Sequence, residues 1–374
     1  MKNKIIISFV ALVVVLGIIW ETTQDNKSQE TNESVKVGFL SPMTGPAAYF
    51  GETVANGVRL AYSEDLNGGR IKMIFDDSKC KPAEGVSIVQ KMINIDKVDV
   101  IIGGSCSSVT LAIAPIIEEA GVILISPLAA SPKVTEAGDF VFRLSASSKI
   151  MSSGAARFVK DLGHKRVGLI FEDNEYPVGW KDAFVKEFKN QSGNEVFIEK
   201  VGMASTDVRT QLLKMKSKDL DILVFAVITH PSAHALLQQT ADIGIDLPIF
   251  GNEVFAYNTV VEQNSDLNNA MLVVNYKYNS NSGDMRKFLS AYREKYDVTL
   301  ADEIIGSLGY DTYNVLNKAL DGCGNGDNDC IKNNLYDTKN YQGASGSITI
   351  DRNGDTKRSA SLYKIQNGEV VLIK

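Results

Sequence analysis

The residues best suited to binding a small ligand lie in a loop that leaves a predicted strand and opens a predicted helix. This loop reads Gly-Gly-Ser-Cys-Ser-Ser at residues 103–108. Free backbone N–H groups and the positive end of the helix dipole favour an anion at such a helix start, and a serine hydroxyl there can bind a carboxylate. Ser107 and Ser108 are therefore candidate ligand contacts, with plain helix capping as the alternative for both.

Three further loops follow predicted strands and could face the same ligand. Glu253 ends one of them, where its carboxylate could hold an ammonium group, and a solvated glutamate is the alternative. Residues 41–51 can present Tyr49 or Phe50, although a structural turn with a core aromatic is equally consistent. Residues 126–132 are mostly small and would let a ligand approach the backbone. Because ligands of open parallel sheets bind beyond the carboxyl ends of the strands, we expect these loops to converge.

Motifs for other chemistry are missing from the sequence. His230 and His234 lie four residues apart and could share a helix face, but neither they nor His164 come with further metal ligands. The acidic turns at residues 327–329 and 351–355 lack the spacing of a calcium loop, and there is no GxSxG nucleophile motif. The sequence therefore predicts a binding module with no metal, no cofactor and no catalytic residue.

The N-terminus has the composition of an export signal. Residues 1–4 are a basic flank, residues 5–20 are an almost unbroken apolar run, and residues 21–34 are a polar spacer. A run of about 16 residues lies between the apolar core of a signal peptide and a full membrane span of about 20 residues. A cleaved signal and a retained membrane anchor both remain open, and no cysteine precedes Cys80 to carry a lipid. We expect a periplasmic or cell-surface protein.

Four cysteines, an even number in a chain predicted to be exported, favour disulfides over free thiols. Zinc is the alternative, which the absence of CxxC pairs disfavours. Sequence alone allows three pairings of the four. Cys323 and Cys330 bracket a turn-rich stretch and are expected to bond to each other, which leaves Cys80 for Cys106.

From residue 35 onward, short apolar runs alternate with amphipathic helical patterns, as in parallel sheets covered by crossover helices. The predicted strands are residues 35–40, 71–76, 100–103, 122–126, 166–171, 222–227 and 248–251. The predicted helices are residues 52–64, 83–95, 108–119, 150–162, 178–190, 208–216, 232–243, 284–296 and 302–320. The pattern predicts a doubly wound α/β architecture that is built twice.

Length and charge limit the architecture and the partners. About 340 residues after the spacer exceed what one hydrophobic core usually serves, so two compact lobes are predicted. A composition change at residues 144–149 marks the expected crossing between them. The net charge is -6 and no long Lys/Arg block is present, so nucleic acid is not an expected partner.

Taken in order along the chain, the loops resemble those of type I periplasmic binding proteins, specifically the leucine/isoleucine/valine-binding protein family of ABC transporters. The resemblance extends from about residue 35 to the C-terminus. Its most specific pieces are Thr44-Gly-Pro-Ala-Ala, Asn56-Gly57, Asp76-Asp77 before Cys80, Gly103-Gly-Ser-Cys-Ser-Ser, Ile125-Ser-Pro, Glu175-Tyr176, Gly251-Asn-Glu253 and Gly309-Tyr-Asp.

The resemblance implies two doubly wound parallel-sheet lobes of Rossmann-like fold, joined by three crossing strands and closing over a ligand. Residues 35–145 with 276–345 are expected to form lobe I. Residues 146–275 with 346–374 are expected to form lobe II. Residues 1–34 then remain as the signal peptide or anchor with its spacer.

The resemblance also implies roles for individual residues. Cys80 and Cys106 match the family's disulfide, next to Ser107, whose position is that of the hydroxyl that holds an α-carboxylate. Glu253 matches the acid that faces the ligand ammonium. The other matching positions supply loop backbone or a side-chain pocket, and they are Ala129 and Ala130 for the backbone and Phe50, Tyr176 and His230 for the pocket.

The function implied is that of the extracytoplasmic substrate-binding component of an ABC importer, with a membrane permease as partner and a branched-chain or other hydrophobic amino acid as ligand. A sensor or receptor module is the alternative class; the sequence ends at Lys374 without an effector domain, which favours transport. Two departures from the family pattern bear on the ligand: the first widens the ligand class to other small carboxylates or amides, and the second indicates an altered side-chain pocket. Ala130 stands where the family often has threonine, and His230 stands where it often has tyrosine.

Overall fold

The computed structural model describes residues 34–65, 69–267, 270–276, 283–296 and 300–373. The apolar run predicted as a signal or anchor lies outside these ranges. Within them, no helix is both long enough and apolar enough to cross a membrane.

The first sheet is entirely parallel and is formed by five strands of the described chain, in the order β2-β1-β3-β4-β5. Its inner strands are apolar and buried on both faces, which is why they read as continuous apolar runs in the sequence. The strands are β1 Val35–Ser41, β2 Ile71–Asp77, β3 Val100–Gly103, β4 Ile123–Ser126 and β5 Val141–Arg143.

The second sheet repeats this order with five parallel strands, β7-β6-β8-β9-β10, and adds antiparallel strands β13 and β14 beside β10. Strands β11 and β12 pair separately as a hairpin. The bounds are β6 Arg166–Glu172, β7 Glu195–Val201, β8 Ile222–Ala226, β9 Ile249–Gly251, β10 Leu272–Tyr276, β11 Tyr341–Gly343, β12 Gly346–Ile348, β13 Ala360–Gln366 and β14 Glu369–Leu372. Two sheets of one winding order confirm the fold class that the sequence predicts.

Helices connect the strands and cover the sheets. Their bounds are α1 Ala48–Glu64, α2 Pro82–Lys91, α3 Ser107–Ala120, α4 Ser148–Asp161, α5 Glu175–Phe188, α6 Arg209–Lys216, α7 His230–Asp242, α8 Asn258–Gln263, α9 Gly283–Lys295, α10 Leu300–Ala319 and α11 Asn328–Tyr336. The N–H groups of the first turn of α3 have no acceptor within the helix. This helix begins at the end of β3, beside the cleft described below.

Helices α1 and α10 approach backbone to backbone. A Cβ on Gly57 would lie 1.9 Å from the carbonyl oxygen of Gly306, and a Cβ on Gly309 would lie 2.3 Å from that of Val54. Only glycine fits such a contact, and the contact fixes α10 against the first half of the chain.

Seven strands of the described chain lie outside the predicted strand ranges: β5, β7 and β10 to β14. Strand β7 lies at the edge of its sheet and reads Glu-Val-Phe-Ile-Glu-Lys-Val, so charged residues limit its apolar run to three residues. Strand β5 is only three residues long. The predicted helices are all present, with ends that differ by a few residues.

Two disulfides close the loops that contain the cysteines. Cys80 in the loop after β2 is bonded to Cys106, the residue before α3, and Cys323 is bonded to Cys330 across the connection between α10 and α11. These are the two pairs that the sequence favours. The first bond attaches the β2 loop directly to the start of the helix that carries Ser107.

Candidate functional site

A cleft lies where the carboxyl-end loops of the two sheets meet. Loops after β1, β3 and β4 form one side, and loops after β6, β8 and β9 form the other. This is the crevice at which open parallel sheets bind ligands. The residues that line it are Pro42, Ala47, Phe50, Ser105, Cys106, Ser107, Leu128, Ala130, Ser145, Tyr176, Ile228, Glu253, Val254, Tyr257, Asn275, Ile304, Ile305 and Leu308.

Ser107 and the loop after β4 form the polar part of the first side. Ser107 is buried, and its Oγ accepts a hydrogen bond from the backbone N–H of Ser131 at 3.0 Å. The N–H of Ala129 donates in turn to Oγ of Ser126 at 3.0 Å. These bonds fix the loop against the start of α3. There the N–H groups of Ser107 and Ser108 have no acceptor among the described residues, and the helix dipole favours an anion.

Glu253 is the acidic group of the second side. The hydroxyl of Tyr176 donates a hydrogen bond to its Oε1, and the side-chain amide of Asn252 donates to that hydroxyl at 3.3 Å. Oε2 of Glu253 is buried and has no hydrogen-bond partner among the residues that the structure describes. A buried acceptor without a partner is unfavourable, so this oxygen is available to a ligand donor.

Burial raises the pKa of Glu253 above its ordinary value, and the hydrogen bond from Tyr176 opposes the increase. Desolvation disfavours the charged form of a carboxyl group, whereas a neighbouring cation favours it. Burial of Glu253 therefore favours the neutral acid, and a ligand ammonium would favour the carboxylate.

Aromatic rings from both sides meet across the cleft. The rings of Tyr49 and His230 lie 4.5 Å apart between centroids, and those of Phe50 and Tyr257 lie 5.7 Å apart. The Tyr49 and Phe50 rings come from the start of α1, while the other two come from the second half of the chain. These contacts bring the aromatic rings of the two sides together at the cleft.

A polar contact also joins the two sides at the rim of the cleft. The hydroxyl of Ser131 donates to Oε1 of Glu175 at 3.1 Å, and Nζ of Lys133 lies 3.2 Å from the same oxygen. Glu175 begins α5 on the second side, immediately before Tyr176.

Glu172 shapes the loop after β8 without facing the cleft. Its buried carboxylate accepts hydrogen bonds from the backbone N–H groups of Ile228, Thr229 and Ala204 at 2.6–2.9 Å. The hydroxyls of Thr229 and Ser232 donate to it as well. Five donors satisfy this buried charge and fix the backbone that presents Ile228 to the cleft.

The structure brings five of the predicted contacts together in the lining: Phe50, Ser107, Ala130, Tyr176 and Glu253. The other three lie outside the lining. Oγ of Ser108 is buried with no partner among the described residues, and Ala129 is fully buried. The His230 ring lies behind the lining, 5.8 Å from the ring of Phe50 between centroids, and its Nδ1 is hydrogen-bonded to Oγ1 of Thr259 at 3.2 Å.

Sequence reasoning missed the apolar floor of the cleft. Ile304, Ile305 and Leu308 extend into it from α10, and Val254 and Tyr257 follow Glu253 on the opposite side. The helical periodicity of α10 predicts one buried face but not what that face contacts. The positions of Val254 and Tyr257 were partly predictable, because both residues lie within four residues of Glu253, a predicted ligand contact.

Two mainly parallel sheets with a cleft between their carboxyl-end loops are the architecture of type I periplasmic binding proteins. The chain belongs to the periplasmic binding protein family, whose family model matches residues 34–369. The family resemblance predicted from the loops is thereby confirmed.

Individual relatives agree over nearly the full chain. The Leu/Ile/Val-binding protein BraC3 of Rhizobium johnstonii is 25% identical over 346 residues, which cover 90% of this chain and 93% of that protein. The structure of the branched-chain amino acid binding protein LivJ of Streptococcus pneumoniae, solved with isoleucine, is similar with a TM-score of 0.81 at 27% identity, over 91% of this chain and 100% of that one.

A solute-binding protein of an ABC transporter from R. palustris, solved with 4-hydroxybenzoate, has a TM-score of 0.82 at 22% identity. The match covers 91% of this chain and 96% of that chain. At this identity the likeness shows the common fold.

Proposed function

We propose that this protein is the extracytoplasmic substrate-binding component of an ABC importer, and that it binds a branched-chain or other hydrophobic amino acid in the cleft. The observation that carries the proposal is the buried Oε2 of Glu253, which has no partner among the described residues and lies in an otherwise mostly apolar lining. The amino-acid ligands of the similar proteins BraC3 and LivJ support it.

The two sides of the cleft suit the two charged groups of an amino acid. The start of α3 with Ser107 provides donors for a carboxylate, and Glu253 provides an acceptor for an ammonium. An aliphatic side chain would then contact the floor formed by Ile304, Ile305 and Leu308. The proposed role requires only that the protein binds and releases the ligand, and it requires no chemical reaction of the ligand.

The lobe division proposed with this function places residues 35–145 with 276–345 in lobe I and residues 146–275 with 346–374 in lobe II. The ligand would enter an open form, and contacts with both lobes would shift the population toward the closed form. The partner would be a membrane permease that recognises this closed form.

A second candidate ligand is a small carboxylate without an ammonium group. Ala130 offers no hydroxyl to an ammonium, and the raised pKa of Glu253 favours a neutral acid that can donate to an oxygen. The 4-hydroxybenzoate ligand of the similar R. palustris protein supports this alternative.

Calorimetry with leucine and two of its fragments tests the proposal. We expect leucine to bind, and both 4-methylpentanoate, which lacks the ammonium, and 3-methylbutylamine, which lacks the carboxylate, to bind at least about tenfold more weakly. Equal or tighter binding of 4-methylpentanoate or of benzoate would favour the carboxylate ligand. Binding of none of these, nor of other hydrophobic amino acids, would contradict the proposed ligand class.

A further inference from the structure

Arg143, the last residue of β5, is completely buried and does not line the cleft. Its guanidinium is paired with both carboxylate oxygens of Asp355, with Nε to Oδ1 at 2.6 Å and Nη2 to Oδ2 at 2.8 Å. Nη2 also donates to Oγ1 of Thr135 at 2.7 Å. This pairing offsets the cost of burying the guanidinium charge. It uses Nε and Nη2, so Nη1 can bind other groups.

Nη1 of Arg143 holds the loop that lines the cleft. It donates to the carbonyl oxygen of Ser131 at 2.8 Å and approaches that of Ala129 at 3.4 Å. The carbonyl between them, on Ala130, accepts from the N–H of Ser148 at 2.7 Å. The carbonyl of Ala129 also accepts from the hydroxyl of Ser145 at 3.3 Å. Three consecutive carbonyl groups are thus held by Arg143, by Ser145 and by the start of α4.

The N–H groups of the same loop are not all engaged. Those of Ala129 and Ser131 donate to the side chains of Ser126 and Ser107. The N–H of Ala130 has no acceptor among the described residues, and Ala130 lines the cleft. Because its neighbours are fixed on both sides, this N–H is oriented as a donor for a ligand oxygen.

Arg143 and its partner Asp355 lie on two chain segments that cross between the sheets. The backbone N–H of Arg143 donates to the carbonyl of Gly354 at 2.9 Å, and Oγ1 of Thr356 donates to the carbonyl of Leu144 at 2.7 Å. A Cβ on Gly354, which has a φ of +74°, would lie 2.5 Å from the carbonyl oxygen of Val141. The segments are therefore packed as closely as backbone allows.

We propose that Arg143 is a positioning residue for ligand binding: with Asp355 it connects the two crossing segments to the loop at residues 129–131 and so holds the N–H of Ala130 toward the ligand. The inference rests on the proposed function, because it assumes a ligand oxygen on the first side of the cleft. Arg143 would thus contribute to ligand affinity although its side chain does not contact the ligand.

The test compares Arg143→Ala and Arg143→Lys with the wild type in calorimetry against leucine and against 3-methylbutylamine, which has no oxygen. Lysine keeps the charge opposite Asp355 but cannot span Asp355 and two carbonyls at once. We expect both variants to lose at least about tenfold affinity for leucine, and less than about threefold for the amine. Added guanidinium ion, at concentrations that do not unfold the protein, should restore part of the leucine affinity to Arg143→Ala.

Unchanged leucine affinity in the folded variants would overturn this inference and leave the proposed function intact. Equal losses for leucine and the amine, without rescue by guanidinium, would mean a general structural role and would also overturn it. If the wild type binds neither ligand, the proposed function fails and the inference fails with it. Asp355→Asn is a further comparison, because it keeps Arg143 and its contacts to the loop while removing the ion pair, and we expect a smaller loss from it than from Arg143→Ala.

Discussion

The phenol of Tyr176 donates a hydrogen bond to one oxygen of Glu253 and leaves the other oxygen buried without a partner among the described residues. One hydrogen bond thus orients the carboxylate without satisfying it. The arrangement is stable only as far as the acid is neutral or a ligand supplies a donor, which couples binding to protonation.

Replacement of Glu253 by glutamine should weaken the binding of an amino acid by more than about tenfold, because the charge that faces the ammonium is lost while the bond from Tyr176 can remain. In the wild type, affinity should fall as the pH is lowered through the raised pKa of the empty site, since the neutral acid must ionise to pair with the ammonium. Calorimetry across pH checks both effects. A glutamine variant with the wild-type pH dependence would contradict this role.

Ser107→Ala should weaken binding of a carboxylate-containing ligand by more than about tenfold, because it removes a hydroxyl from the cleft and deprives the N–H of Ser131 of its acceptor. Ser108→Ala is the matched control, since Ser108 does not line the cleft. Calorimetry on both variants separates the two serines. A loss of affinity in Ser108→Ala as large as that in Ser107→Ala would contradict the placement of the site at Ser107.

Ala130→Thr should strengthen the binding of an amino acid by about tenfold, because a hydrogen bond to a charged group contributes about 1.5–3 kcal/mol, less whatever crowding costs. Ala130→Val adds the same volume without a hydroxyl, and it should leave affinity unchanged or reduced. A competition titration with leucine compares the two variants. Tightening by valine as well as by threonine would show that the added volume, and not the hydroxyl, is responsible.

Glu175→Ala should weaken ligand binding severalfold, because Glu175 contacts Ser131 and Lys133 across the rim and would thereby stabilise the proposed closed form. An exposed ion pair contributes about 0.2–1 kcal/mol, and the bond from Ser131 adds a similar amount. Glu187→Ala is the control, since Glu187 pairs with Lys160 between α4 and α5 without crossing the cleft. Equal effects of the two substitutions on affinity would exclude a specific contribution to closure.

Asp311 should make the protein more stable in mild acid. Burial raises the pKa of this carboxyl group from 3.8 to about 6, against the hydrogen bonds from Ser345 and Ala344. A folded-state pKa above the unfolded value means that its contribution is complete below the unfolded value and is lost as the pH rises toward about 6. The difference between a pKa of 3.8 and one of about 6 corresponds to about 3 kcal/mol of unfolding free energy.

Urea unfolding of the wild type and of Asp311→Asn at about pH 4 and about pH 7 measures this contribution. The difference between the two proteins should favour the wild type more at the lower pH. The opposite sign, or no pH dependence of the difference, would mean that Asp311 is ionised in the fold throughout this range.

The parts of the site that could be predicted are those whose position follows from a strand end. Strands β3 and β9 are short apolar runs, so the loops that follow them, with Ser107 and Glu253, could be placed at one edge of a sheet. Such a prediction needs only local sequence.

Parts that depend on contacts between distant segments could not be predicted. Arg143 reads as an ordinary charge at the end of a three-residue strand, and its partner Asp355 follows 212 residues later. The side chains of Ile304 and Leu308 reveal a buried helix face but not that a cleft lies against it. Strand β7 escaped detection because an edge strand has no need of a continuous apolar run.

The glycine contact between α1 and α10 bears on how this protein could acquire new ligands. At Gly57 and Gly306 the two helices contact each other through backbone atoms. This contact therefore does not depend on the size of the side chains on the cleft face of α10. Ile304, Ile305 and Leu308 could then be exchanged without moving the helix that carries them. We expect a library of variants at these three positions to yield folded proteins that bind a different range of ligands. Most substitutions of Gly57, in contrast, should abolish folding.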